Sequence, residues 1–181
     1  MLAISLVLLS DSLVIISAII CAHNPDAKRL DRVFQALARQ TLPQSEWEAV
    51  LVDNASSPEL AGDLMAWHPA GRVLREKTTG LTHARLKAIE EAQGDLLVFV
   101  DDDCLLEPDY LAKTLELFQN NTFLGMAGGY GRAEYEVPPP AWMTPSLRQY
   151  HLDMPPPQFD QKLIYARVQP ILGPWFPVGA G

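Results

Sequence analysis

Residues 95–103 read DLLVFVDDD, an apolar run that stops on three consecutive carboxylates. The run from Asp95 to Val100 is too short for a helix and, after Asp95, is apolar on every position rather than on alternate ones. That is the pattern of a strand buried on both faces, as in a parallel sheet. Parallel neighbours need long crossovers, usually helices, so helical segments are expected on both sides of it. Thr79-Gly80 leads into one over Leu81 to Gln93, with Gly94 at the position that favours a left-handed C-cap. Glu107-Pro108-Asp109 opens another through Gln119, and Phe123 to Ala127 reads as a further strand.

The same alternation continues toward the amino end. Leu13 to Cys21 (LVIISAIIC) is rich in β-branched residues and runs straight into a polar turn. Asp26 can cap a helix whose apolar positions Leu30, Val33, Phe34 and Leu37 keep a three-to-four spacing. Glu48 to Val52 (EAVLV) is a second strand ending on Asp53-Asn54-Ala55-Ser56. Ser57 and Pro58 are placed to cap and open a short helix. Arg72 to Glu76 reads as a short edge strand. From Leu13 to Ala127 the chain is therefore expected to form an α/β fold: a Rossmann-like, mainly parallel sheet with helices on both faces.

Composition narrows the function classes. The chain has 181 residues and a net charge of −8 without any Lys/Arg cluster, which argues against nucleic acid as a partner. Cys21 and Cys104 are too few for a disulfide scaffold and lack zinc-ligand spacing. Residues 1–12 are expected to be an apolar leader. It lacks a basic flank, and Asp11 falls within the apolar stretch. A signal peptide and a membrane anchor are the alternatives for this stretch. Ten of the 15 prolines lie between Pro138 and Pro177, which forbids continuous helix or central strand there. Trp142, Tyr150, Phe159, Trp175 and Phe176 favour an ordered, irregular segment over residues 131–181, laid across the sheet rim, rather than a disordered tail.

In open α/β sheets ligands sit outside the carboxyl ends of the strands. Three polar clusters fall at such ends: His23-Asn24, Asp53-Asn54 and Asp101-Asp102-Asp103. Adjacent carboxylates repel, and a divalent cation relieves them. Because side chains alternate along a strand, Asp101 and Asp103 are expected to point the same way and share one ion while Asp102 points elsewhere, with hard oxygens suited to Mg²⁺ or Mn²⁺. A solvated acidic loop is the simpler alternative. Asp53 can cap a turn, or accept hydrogen bonds from a base or ribose. Arg85 can reach a diphosphate or lie on the helix surface, where His83 and Lys87 are also expected. No Gly-rich phosphate loop, G-x-S-x-G elbow or H-E-x-x-H pair occurs.

The order VIISAIICAHNP, LVDNAS, GLTHARLKAIEEAQGDLLVFVDDDC resembles the nucleotide-sugar-binding half of family 2 glycosyltransferases, the inverting type with the GT-A fold. The resemblance covers about residues 13–130, and the closing GPWFPVGAG resembles the start of the acceptor half. It implies transfer of a sugar from a nucleoside-diphosphate sugar to a glycan, lipid or protein acceptor, as in polysaccharide biosynthesis. Asp53 would meet the nucleobase. Asp101 to Asp103 would be the DxD motif, with Asp101 and Asp102 on the donor and Asp101 and Asp103 on Mn²⁺ or Mg²⁺. Ala22, His23, Asn24, Asn54, Gly80 and Arg85 would complete the nucleotide-sugar site. Leu86 stands where an asparagine often follows the arginine, and His23-Asn24 replaces the commoner Tyr-Asn.

The resemblance also implies an acidic general base in the acceptor half, often in a Glu-Asp pair. None of Glu107, Asp109, Glu116, Glu134, Glu136, Asp153 or Asp160 stands in such a context. The base is therefore expected beyond Gly181 and the chain is expected to be a truncated product, better equipped to bind a donor than to turn it over. The alternatives are a degenerate nucleotide-sugar-binding module and a sugar nucleotidyltransferase, although CAHNPDAKR lacks the glycines of the latter's phosphate loop. A phosphotransfer receiver would place paired acids where His23-Asn24 stands. The expected location is the cytoplasm, with the inner face of a membrane as the alternative.

Overall fold

The computed structural model describes residues 4–7 and 15–129. The proline-rich segment over 131–181 and most of the apolar leader lie outside the described residues. Strands β1 (Ile4–Val7), β2 (Ile16–Ala22), β3 (Trp47–Asn54), β4 (Gly71–Glu76), β5 (Leu96–Asp101) and β6 (Met126–Gly128) are joined by helices α1 (Ala27–Ala38), α2 (Leu81–Glu91) and α3 (Tyr110–Asn120). Among the described residues they form one six-stranded sheet in the order β4-β3-β2-β5-β1-β6. Strands β2, β3, β4 and β5 run parallel, whereas β1 is antiparallel to both β5 and β6.

Period-two alternation in β2 divides the core. Ile16, Ala18 and Ile20 face Leu30, Val33, Phe34 and Leu37 of α1 together with Leu111 and Phe118 of α3. Ile19 faces the other way, with Val50, Val52 and Leu97, onto Ala84 and Ala88 of α2. Helices therefore cover both faces, as the apolar runs require. The two alanines of α2, both fully buried, let that helix approach the sheet closely. Asp26 caps α1 as expected, accepting the amides of Lys28 and Arg29 at 2.9 and 3.0 Å.

The structure corrects four local expectations. Ile4–Val7 is a strand rather than loose leader: its backbone pairs with Leu96, Leu97 and Val98 of β5. Without it that side of β5 would be an unpaired edge. No helix follows Ser57-Pro58. The segment is a series of turns because Asp53 takes the Ser56 and Leu60 amides at 3.0 and 2.9 Å. Helix α2 stops at Glu91 rather than Gln93, since Glu48 Oε1 accepts the Gln93 amide at 2.7 Å. Gly94 is not a left-handed cap; Ala92 ends the helix with φ −62°. A Cβ at Gly94 would lie 2.6 Å from the Ile16 carbonyl carbon and the Ser17 nitrogen, so glycine is required there by close backbone approach.

A buried polar network closes the amino end of the sheet. Glu48, with no exposed surface, accepts from the Ser17 hydroxyl at 2.6 Å and from Arg72 at 2.8 and 3.0 Å. Arg72 also donates to the Glu91 carbonyl at 2.7 Å, and the Gly94 amide donates to Ser17 Oγ at 2.9 Å. Both charges are thus paired and hydrogen-bonded, the condition for burying them.

Candidate functional site

The strand register brings the polar clusters level at the carboxyl edge. Ala22 pairs with Asp53, Cys21 pairs with Asp101, and Asp53 and Asn54 pair with Arg75 and Glu76. At the end of β2, His23 Nδ1–H donates to the Asn54 carbonyl at 2.6 Å, while its Nε2 faces the Asn24 side-chain amide at 3.1 Å. A carbonyl can only accept, which selects the Nδ1–H tautomer. Asn24 takes a left-handed φ of 48°, donates its amide to Ser56 Oγ at 2.9 Å and accepts the Ser57 amide at 2.8 Å. Asparagine is among the few residues that tolerate this backbone region. These bonds knit the ends of β2 and β3 into one wall.

Asp53 sits beneath that wall, 1 % exposed. One carboxylate oxygen holds the Ser56 amide, and the other holds the Leu60 amide and the Arg75 guanidinium. Burial alone would raise its pKa, but hydrogen bonds from Ser56, Leu60 and Arg75 outweigh burial and hold the carboxyl below its ordinary value. The turn-forming role weighed from sequence is therefore visible in its bonds. Arg75 and Ser56 are site-shaping residues that the sequence reading missed. The pairing of Asp53 with an arginine on the neighbouring edge strand is the signal that could have found them.

On the other side of β3, Asn54 is 4 % exposed and ties down the link between β4 and α2. Its Nδ2 donates to the Thr78 carbonyl and its Oδ1 accepts the Gly80 amide, both at 2.7 Å. Gly80 precedes α2 with φ 136°, a backbone conformation that glycine holds without strain. One turn further on, Arg85 Nη2 reaches within 3.9 Å of Asp101 Oδ1, and its Cζ stands 5.7 Å from the centroid of the Phe99 ring. The ring and the carboxylate together hold the guanidinium at the rim.

Strand β5 ends at Asp101. Asp102 and Asp103 already lie in a turn, closed by the Cys104 amide donating to the Asp101 carbonyl at 3.0 Å. Strand alternation therefore does not extend to Asp103, and the argument that it aims Asp101 and Asp103 the same way fails here. Their proximity is electrostatic all the same. Burial raises the Asp101 pKa, with Arg85 opposing and Asp103 adding to it. Burial, then Asp103, likewise raise that of Asp102. Burial also pushes the Cys21 and Cys104 thiols up to about 12 and about 11, so neither is a nucleophile near neutral pH.

Among the described residues no group of three or more His, Cys, Asp or Glu side chains is arranged to hold a metal ion alone. The donor set nevertheless suits a hard cation that keeps its waters and draws further oxygens from a phosphate-bearing ligand. Asp101 and Asp102, whose pKa values are raised chiefly by burial, stand beside the exposed Asp103, with Arg85 next to Asp101. Two grooves, of about 680 Å³ beside α1 and about 410 Å³ beside α3, include no residue of the triplet. Lys87 lies on the surface paired with Glu91 at 2.7 Å, as expected of a solvated helix face.

A family model described as Glycosyl transferase family 2 matches residues 17–171. The chain belongs to glycosyl transferase family 2. Glycosyltransferase AglE of Haloferax volcanii is 27 % identical over 125 residues, covering 67 % of this chain and 40 % of its own. Dolichol-phosphate mannosyltransferase of Pyrococcus furiosus is 28 % identical over 118 residues, 64 % of this chain and 33 % of its own. The chain thus spans two fifths or less of these relatives. Among solved structures, S. aureus TarS 1-349 in complex with UDP-GlcNAc shares the fold with TM-score 0.52 and 23 % identity, over 60 % of this chain and 32 % of that one. The expected GT-A-type α/β architecture is the one found. No helix of the described residues is long and apolar enough to cross a membrane.

Proposed function

We propose that this chain is the nucleotide-sugar-binding half of a glycosyltransferase that passes a sugar from a nucleoside-diphosphate sugar to a glycan, lipid or protein acceptor, with inversion and with Mn²⁺ or Mg²⁺. The observation that carries the reading is Arg85 beside Asp101 at the carboxyl edge of a parallel sheet. A cationic fork and a carboxylate with a raised pKa there suit a diphosphate and its counter-ion. The UDP-GlcNAc complex of TarS, similar in fold, supports a nucleotide sugar as the ligand class.

In this reading Ala22, His23, Asn24 and Asn54 form the wall for the base and ribose, and Asp53 meets the nucleobase. Gly80 and Arg85 bring the start of α2 to the diphosphate. Asp101 and Asp102 face the donor, and Asp101 and Asp103 hold the cation. When bound, the cation supplies neutralisation of charge on the departing diphosphate. Inversion requires a base within roughly 3 Å of the acceptor hydroxyl. No described residue is assigned that part.

The test is a nuclear magnetic resonance titration with UDP in the presence of Mg²⁺. Shifts are expected at the amides of Asn24, Gly80, Arg85 and Asp101 to Cys104, with the amino edge around Ser17 and Arg72 silent. Shifts confined to the groove beside α1, or none at millimolar UDP, would overturn the reading.

A further inference from the structure

We infer that Asn54 is a positioning residue: its side chain sets the first turn of α2, and through it the place of Arg85 beside Asp101. This rests on the nucleotide-sugar reading and adds to it a side chain that need touch no ligand. Both ends of the Asn54 amide are used inside the fold, on Thr78 and Gly80, at 2.7 Å each. The two bonds fall on either side of Thr79, so one side chain clamps the link from β4 into α2. Only a carboxamide offers a donor and an acceptor at once in this shape; aspartate has no donor for the Thr78 carbonyl, and leucine has neither.

The clamped link controls the helix. Gly80 carries the last non-helical φ before α2, 136°, and no side chain caps that end. The Ala84 amide then donates to the Gly80 carbonyl at 3.2 Å, which ties the first turn to the clamped residue. A side-chain tip lies about 5–6 Å from a helix axis, so a rotation of about 20° would move it by about 2 Å. The Arg85–Asp101 approach of 3.9 Å would not survive that displacement. The Asn54 carbonyl meanwhile accepts from His23 at 2.6 Å, so the same residue joins the β2 end of the rim to the α2 end.

The experiment is a double-mutant cycle in the full chain, Asn54→Ala against Arg85→Ala, with two readouts. Amide exchange without ligand should rise about tenfold or more at Ala84 in Asn54→Ala, with β2 and β3 amides changed far less, as local rather than global opening requires. The preference for UDP over uridine should fall about tenfold in each single variant and no further in the double variant. Gly80→Ala, which disturbs the same link from its other end, should reproduce the loss and stands in if Asn54→Ala does not fold. Unchanged exchange at Ala84, or losses that add in the double variant, would overturn the inference. If the native chain itself shows no preference for UDP, the nucleotide-sugar reading fails, while the exchange readout still decides whether Asn54 sets α2.

Discussion

Arg85 Nη2 stands 3.9 Å from Asp101 Oδ1, so a helix residue from one crossover meets the last residue of the central strand β5 at the sheet rim. Both groups are partly solvated, which makes the pair weak as a stability element and adjustable as a binding one. Its value lies in placement: a guanidinium fork already desolvated on one side by Phe99.

Replacing Arg85 by methionine removes that fork while keeping much of the apolar stem over Phe99. Stability should change little, because exposed pairs contribute about 0–1 kcal/mol. UDP affinity should fall about tenfold or more, the loss of a charge-assisted contact of about 1.5–3 kcal/mol. Calorimetric titration checks the affinity and thermal melting checks the stability; a large melting shift with intact affinity contradicts the assignment.

Asp53 makes the opposite prediction. Its carboxyl is 1 % exposed and holds two amides and Arg75, so Asp53→Ala should cost about 2–3 kcal/mol by leaving those donors unpaired. The sign of its pH dependence follows from its lowered pKa. The stabilisation is present above the ordinary carboxyl value and is lost as pH falls through the lower folded one. Stability measured by urea melts below about pH 4 should therefore fall less steeply in Asp53→Asn than in the native chain. Parallel acid limbs would contradict this.

Gly94 separates two explanations of one residue. A left-handed cap tolerates asparagine nearly as well as glycine. Close approach to Ile16 and Ser17, at 2.6 Å for a built Cβ, tolerates neither alanine nor asparagine. Both variants should lose about 2 kcal/mol or more, as expected for overpacking against backbone. An asparagine variant as stable as the native chain would restore the capping explanation.

The Glu48–Arg72 pair supplies a control at the far end of the sheet. Glu48 and Asp53 lie five residues apart on β3, about 17 Å along the strand. Arg72→Met leaves buried Glu48 without its guanidinium and should destabilise by about 3 kcal/mol. UDP binding measured well below the melting temperature should be unchanged. A matched loss of affinity would mean the two ends of the sheet are coupled.

The central fold was legible because its signals are local and strong. The apolar runs ending at Cys21, Val52 and Val100 are strands that close one or two residues later, at Ala22, Asn54 and Asp101, and the Asp26 cap and the spacing of Leu30, Val33, Phe34 and Leu37 appear where expected. What sequence reading could not supply depends on pairing across the sheet. Ile4–Val7 becomes a strand because β5 has an edge to fill, and no local pattern reports that edge. Asp53 stands at the rim as expected, but only the register sets Arg75 beside it. The turn after Asp101 likewise defeats an alternation argument that holds only while a strand continues.

The measurement that bears most directly on the nucleotide-sugar reading is a calorimetric titration of the chain with UDP, in Mn²⁺ and then in excess chelator, repeated with Asp103→Asn. Asp103 is exposed at the rim, so its amide variant should fold normally. The account predicts UDP binding that needs the cation in the native chain, and weaker, cation-indifferent binding in the variant. Equal UDP affinity with and without Mn²⁺, in both proteins, would contradict a donor site built on the Asp101–Asp103 carboxylates.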